Sequence, residues 1–375
     1  MGLEIIAEIS HKYGSDSRYV LAGGGNTSYK NDEYLYIKGS GHALATISNE
    51  GFVKMSRECL ETIWQKTYSE KKDEREAQVL ADMMASRCEG EENKRPSVET
   101  LLHNLFKQTY ILHVHPTMVN GLTCSLDGKD AMEKMFPDAI WIEETEPGYI
   151  LAAKCRERIA EYENKTGKRA YLLFLQNHGI FFGADSKEEM DELVTSVMNK
   201  FEDAVKVRPD LTEVEPNYEL VNEIASNLTA LCGGKEEASV KFTLNKEVEK
   251  LCTSKESFEI LLRPMSPDHI VYCKSVPMFV ADFSLNSMKS QLKEFEETNK
   301  FLPKIVFAKG VGMFAIGKSD KDAQTVTDVW LDAVKIIVYS RNFGGVRPMA
   351  PEMVDFIANW EVESYRSKVA LKSTN

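Results

Sequence analysis

Two histidines one residue apart interrupt the apolar run YILHVHP, residues 110–116. In a β-strand alternate side chains share a face, so His113 and His115 point the same way, with Val114 opposite, and two imidazoles on one face can chelate a cation. A third candidate is His178 in QNHGI, where the apolar stretch LLFL stops and Gly179 frees the backbone. Neutral imidazoles suit Zn²⁺ at ~2.0–2.1 Å, and three protein ligands with one open position describe a catalytic zinc site. Mn²⁺, Fe²⁺ and Co²⁺ accept imidazole as well. Glu99 beside such a metal would be a fourth ligand at rest, or a general base once substrate displaces it. A lone histidine at a strand end is more often a core or turn residue. It is the H-x-H spacing, joined by N-H-G at a second strand end, that points to a metal.

Another candidate is the glycine-rich stretch LAGGGNTSYK (residues 21–30), followed by a further glycine turn at Gly39 to Gly41. Backbone N–H groups there, with Asn26, Thr27 and Ser40 as side-chain donors, can form an anion nest; a flexible hairpin turn reads equally well. Within this glycine loop neither G-x-x-x-x-G-K-[ST] nor G-x-G-x-x-G occurs, so no P-loop or dinucleotide fingerprint is claimed there.

The elements that must position these residues alternate between helix and strand. LEIIAEISHKY has helical spacing, EYLYIKGSG alternates as a strand, and Ser56 to about Arg87 favours helix. Ser97 is placed to cap the helix SVETLLHNLF, whose Glu99 and His103 are four apart on one face, so that His103 can orient the carboxylate. Then come the strand YILHVHP, a helix from Tyr149 to Gly167, the apolar strand AYLLFL and a charged helix from Lys187, an α/β arrangement. The composition changes at RPDLTEVEPN, which divides the chain into a unit at 1–210 and another at 217–375. The latter reads as a worn copy of the former. LLFLQNHGIFFGADSKEEM compares with IVFAKGVGMFAIGKSDKDA, and YILHVHPTMV with IVYCKSVPMFV, Ile270 to Val280. In these comparisons His113, His115 and His178 fall on Lys274, Val276 and Val311, so the unit at 217–375 is expected to lack metal ligands and to act structurally, as a lid or an oligomerisation surface.

At 375 residues the chain exceeds the ~100–200 of a typical domain, which also favours two units. A net charge of −12 argues against a nucleic-acid partner, since phosphate backbones need clustered Lys and Arg. Seven scattered cysteines without a C-x-x-C pair fit a reducing compartment. There is no basic n-region, no myristoylation motif and no run near the ~18 apolar residues of a membrane span, so a cytoplasmic protein is expected.

Taken together, G-G-G-N-T-S, G-S-G, P-S-x-E-x-x-x-H, H-x-H-P and N-H-G, in this order over residues 21–183, resemble the class II aldolase/adducin family. GGGNTS, PDHIVY, KGVGMFAIGKS and the terminal WEVESYRSKVA are similar to the aldolase part of rhamnulose-1-phosphate aldolase/alcohol dehydrogenase proteins. The resemblance implies a three-layer αβα fold on a mixed, mostly antiparallel sheet. It also implies His113, His115 and His178 as zinc ligands and Glu99 as the acid/base. Gly25, Asn26, Ser40, Gly41 and Ser97 fall where the family holds a substrate phosphate, although Val98 stands where several sugar-phosphate members have a second serine. The implied activity is reversible cleavage of a ketose, phosphorylated or not, to a dihydroxyacetone-phosphate-type enediolate and an aldehyde. Tyr149 is a candidate proton donor to the aldehyde oxygen. An epimerase, dehydratase or decarboxylase on the same fold, or a non-catalytic adducin-like protein, is the alternative. Family members commonly form oligomers, so a dimer or tetramer is expected.

Overall fold

The structure is a computed structural model and describes residues 2–233 and 238–360. The terminal run WEVESYRSKVA lies outside them after Trp360. Strands β1 (Asn26–Lys30), β2 (Tyr34–Lys38), β3 (Phe52–Ser56), β4 (Tyr110–Val114), β5 (Ile140–Ile142), β6 (Leu172–Leu175) and β7 (Gly179–Ala184) form one sheet in the order β3-β2-β1-β4-β7-β6-β5. Every pair is antiparallel except β5 with β6. The sheet is thus mixed, as the family resemblance implies.

Alternation along β4 sets the layers. Leu112 and Val114 join an apolar cluster with Ile6 and Ile9 of helix Gly2–Gly14 and Val194 of helix Lys187–Ala204. Ile111 faces the other side, with Val79, Leu101 and Ala152. Both faces are covered by helices, and His113 shares the face of Ile111.

The helix expected to be capped by Ser97 begins later, at Thr100, with Glu99 as its N-cap residue. The Ser97 N–H is committed to the Lys38 carbonyl at 3.2 Å and the Ser40 N–H to the Arg95 carbonyl at 2.8 Å. This stretch therefore runs along the sheet edge before a helix can form, and Ser97 Oγ accepts the Glu99 N–H at 3.3 Å instead of capping.

Strands β8 (Ser239–Thr243), β9 (Met278–Val280), β10 (Ile305–Ala308) and β11 (Gly312–Gly317) form a separate sheet in the order β8-β11-β10-β9, parallel only between β9 and β10. This order and these directions are those of β4-β7-β6-β5. The hairpins β6-β7 and β10-β11 close on Leu175 with Gly179 and on Ala308 with Gly312, and each leads to a helix whose N-cap serine, Ser186 or Ser319, accepts a backbone N–H.

The other expected correspondence needs correction. Within IVYCKSVPMFV, Ile270 to Cys273 lie in a buried helix, Pro267–Cys273, and only Met278–Val280 is strand. By sheet order the counterpart of β4 is β8, where Phe242 pairs with Phe314 as His113 pairs with Phe181. Lys274 and Val276 are therefore not the counterparts of the histidines.

The two sheets are joined through the helices Thr117–Thr123 and Asp320–Ser340. A Cβ on Gly121 would lie 2.3 Å from Tyr339 Cβ, so the glycine is what lets the helices touch. Thr117 Oγ1 donates to Asp332 Oδ1 across the same junction. No helix among the described residues is long and apolar enough to cross a membrane.

Candidate metal centre

His113 stands near the end of β4 and His115 just past it, while His178 occupies the loop of the β6-β7 hairpin. One ligand nitrogen from each of the three lies within 4.8 Å of the others. His113 stacks on Phe181, with ring centroids 4.0 Å apart and planes 13° apart, which fixes its ring. Gly179 has no room for a side chain, since a Cβ there would lie 2.6 Å from His115 Cδ2 and from the Val114 carbonyl oxygen.

Hydrogen bonds set the tautomers. His113 Nδ1 faces the Ile180 carbonyl at 3.0 Å and His115 Nδ1 faces the Asp268 carboxylate at 2.6 Å, so both Nδ1 atoms carry hydrogen. Both Nε2 atoms are then lone-pair donors, and they face one another at 3.0 Å. Two lone pairs at that distance repel unless a cation or proton lies between them. Tetrahedral Zn–N bonds of ~2.0–2.1 Å separate ligand nitrogens by about 3.3 Å, close to what is found.

Glu99 completes the constellation. Its Oε1 is buried without a hydrogen-bond partner, 3.4 Å from His113 Nε2 and 3.7 Å from His178 Nε2. Its Oε2 accepts from Asn26 Nδ2, whose amide oxygen meets His103 Nε2; His103 Nδ1 in turn faces Ser28 Oγ at 2.8 Å. His103 therefore orients Glu99 through Asn26 and not by direct contact. Burial pushes the Glu99 carboxyl up, but His113, His178 and the Asn26 hydrogen bond outweigh it and hold it down at about 2. Burial drives His113 well below the usual imidazole range, against the pull of Glu99. A carboxylate with an orphaned buried oxygen aimed at imidazole nitrogens is a donor set that fits a divalent cation.

The expected phosphate residues are placed differently. Asn26 Nδ2 is engaged with Glu99 and, at 3.3 Å, with Ser97 Oγ; Ser40 Oγ donates to the Pro96 carbonyl at 3.3 Å. The Gly23 N–H goes to Tyr272 and the Gly24 N–H to Leu21. Gly25, at φ +69°, and Gly41, at φ +95°, hold turns that favour glycine. Thr27 points to the opposite face, against Ser10 Oγ at 2.7 Å. Most donors of the expected anion nest are thus used within the protein.

The Tyr149 ring stacks on Trp64 with centroids 5.7 Å apart and meets Tyr68 edge-on at 5.1 Å, which holds it in an aromatic cluster.

Sequence reasoning missed Asp268, which lies 153 residues from the histidine it contacts. A narrow cleft borders His178, walled by Glu144, Gln176 and Leu151 and by Met349, Met353 and Ile357 from the other half of the chain.

Residues 4–202 match the family model described as the Class II Aldolase and Adducin N-terminal domain. The chain is 21% identical over 414 residues to the uncharacterized oxidoreductase YuxG of Bacillus subtilis, covering 98% of this chain and 58% of that protein, so it spans little more than half of that relative's length. Among solved structures, the N-terminal class II aldolase domain of a conserved Thermoplasma acidophilum protein is 23% identical, with TM-score 0.45, over 54% of this chain and 93% of that one. L-fuculose-1-phosphate aldolase of Thermus thermophilus is 14% identical, with TM-score 0.35, over 54% and 90%.

Proposed function

This chain belongs to the class II aldolase and adducin family, and on that premise we propose that it catalyses reversible, metal-dependent aldol cleavage of a ketose at His113, His115, His178 and Glu99. The observation that carries the proposal is Glu99 Oε1, buried, without a hydrogen-bond partner and directed at the Nε2 atoms of two histidines. A divalent cation held by the three imidazoles, zinc being our choice, supplies Lewis-acid polarisation of a substrate carbonyl.

The chain's own groups do the rest. Glu99 Oε1 takes a proton from the carbon beside the carbonyl in the condensation direction and returns it after cleavage, while the hydroxyl proton lost as the aldehyde forms passes to a second group, for which Tyr149 is our candidate. Asn26, itself fixed by His103, holds Oε2 so that Oε1 keeps its aim. A narrow cleft beside His178 lies between the two halves.

The substrate we propose is a ketose, with the 1-phosphate as its finer form. A phosphate at the glycine loop would have to take the place of the Pro96 carbonyl as acceptor from Ser40, or of Glu99 as acceptor from Asn26. We further propose residues 1–210 as the catalytic unit and 217–375 as a degenerate copy, with Phe242 in the place of His113. Assembly as a homo-oligomer belongs to the same proposal.

The test is to incubate zinc-loaded protein with ketoses and ketose 1-phosphates and to trap aldehyde. Aldehyde from the phosphorylated set alone supports the finer reading, and aldehyde from free ketoses as well supports the broader one. Isomerised ketose without aldehyde would replace aldol cleavage by epimerase chemistry.

A further inference from the structure

The helix Pro267–Cys273 belongs to the half of the chain that holds none of the three clustered histidines, yet it closes on the glycine loop beside them. Asp268 in its first turn accepts the Nδ1–H of His115 at 2.6 Å, with only 10% of the His115 side chain and 12% of the Asp268 side chain exposed. One helical turn on, Tyr272 Oη accepts the Gly23 N–H at 3.0 Å. Between these contacts, a Cβ on Gly24 would lie 3.0 Å from Asp268 Oδ2 and 3.3 Å from His115 Nδ1. The glycine run thus makes room for this helix.

The helix is anchored independently of the histidines. The Ser266 N–H donates to His269 Nδ1 at 3.1 Å, so His269 Nε2 carries hydrogen and faces Asp332 Oδ2 at 3.3 Å. Asp332 in turn accepts from Thr117, next to the end of the His115 segment. Asp268 therefore arrives at His115 on a fixed support, as a carboxylate held against the ring nitrogen opposite the one aimed at the cation.

We propose that Asp268 is a positioning residue of the metal centre, so that the ligand-free half of the chain sets the metal affinity of the other half. The inference rests on the metal reading above. A carboxylate on the far nitrogen fixes the tautomer and ring angle and makes Nε2 more basic; removing such partners weakens metal binding roughly 10–100-fold.

The test uses the full chain, with Co²⁺ as probe, in wild type, Asp268→Asn, Asp268→Glu and Tyr272→Phe. Asparagine keeps an oxygen to accept the Nδ1–H and removes only the charge. Affinity is read by chelator competition, ligand geometry by the visible cobalt spectrum, and folding by thermal unfolding of the metal-free protein. The expected result is a roughly 10–100-fold loss of Co²⁺ affinity and an altered spectrum in Asp268→Asn, with metal-free unfolding unchanged. Asp268→Glu recovers affinity, and Tyr272→Phe, which removes the hydroxyl that holds the Gly23 N–H, binds as wild type does. Wild-type affinity and spectrum in Asp268→Asn would overturn the proposal while leaving the metal centre standing. So would a loss of metal-free stability in Asp268→Asn that accounts for the weaker binding and that glutamate does not repair. Failure of the wild type to bind Co²⁺ would overturn the metal reading itself and this inference with it.

Discussion

Burial acts in opposite senses on the two kinds of ionisable side chain around the histidines, and the outcome is what a cation needs. His103, fully buried, is driven down to about 3, with Glu99 pulling the other way and Lys30 and Lys38 adding to the depression. For a base held below its unfolded value of 6.5, the neutral form is favoured in the fold, so its contribution to stability is complete above pH 6.5 and is lost as the pH falls toward 3. His103→Gln is expected to flatten the stability profile between those limits by one proton, about 1.4 kcal/mol per pH unit, measured by denaturant titration at successive pH values. An unaltered slope would show that His103 is not the group responding there. Glu99→Gln is expected to lower the rate of aldehyde release by about 10²–10⁴-fold with the fold intact, since an amide neither takes nor returns the proton. The three histidines stood out in the sequence because strand alternation and the H-x-H and N-H-G patterns act over a few residues, whereas Glu99 was singled out through the family resemblance. Asp268 was not legible: PDHIVY stands out as a motif, but only the packing of one half on the other gives its carboxylate a partner. The glycine loop was legible as a loop but not in its purpose, because an anion nest and room for a neighbouring helix call for the same residue.

Among the elements, a short apolar run bounded by breakers fits strand and helix alike. IVYC resembles YILHV as a string, yet the Ser-Pro-Asp before it is a helix start: Ser266 is the N-cap and Pro267 the first helical residue. The hairpin comparison succeeds because glycine, aromatic pair and capping serine recur together, each tied to a backbone requirement. The junction of the helices Thr117–Thr123 and Asp320–Ser340 offers a direct check on packing. Gly121→Ala forces a methyl against Tyr339 and is expected to cost about 1–3 kcal/mol in chemical denaturation. Unchanged stability would mean that the two helices are not pressed together as described.

Across the described residues, one half carries the three-histidine cluster and the other half holds one of its members in place, with a cleft walled by both. The composition change at RPDLTEVEPN falls between the two sheets; the contacts that join them were not legible, because they link residues more than a hundred positions apart. A chelator is expected to abolish aldehyde release and added Zn²⁺ to restore it, since the carboxylate alone leaves the substrate carbonyl unpolarised. The metal centre itself is tested most simply by counting the divalent cations bound per chain after dialysis, in wild type and in His178→Ala. One tightly held cation per wild-type chain, and its loss in the variant, is the expected result. No bound cation in the wild type, or equal metal in both proteins, would contradict it.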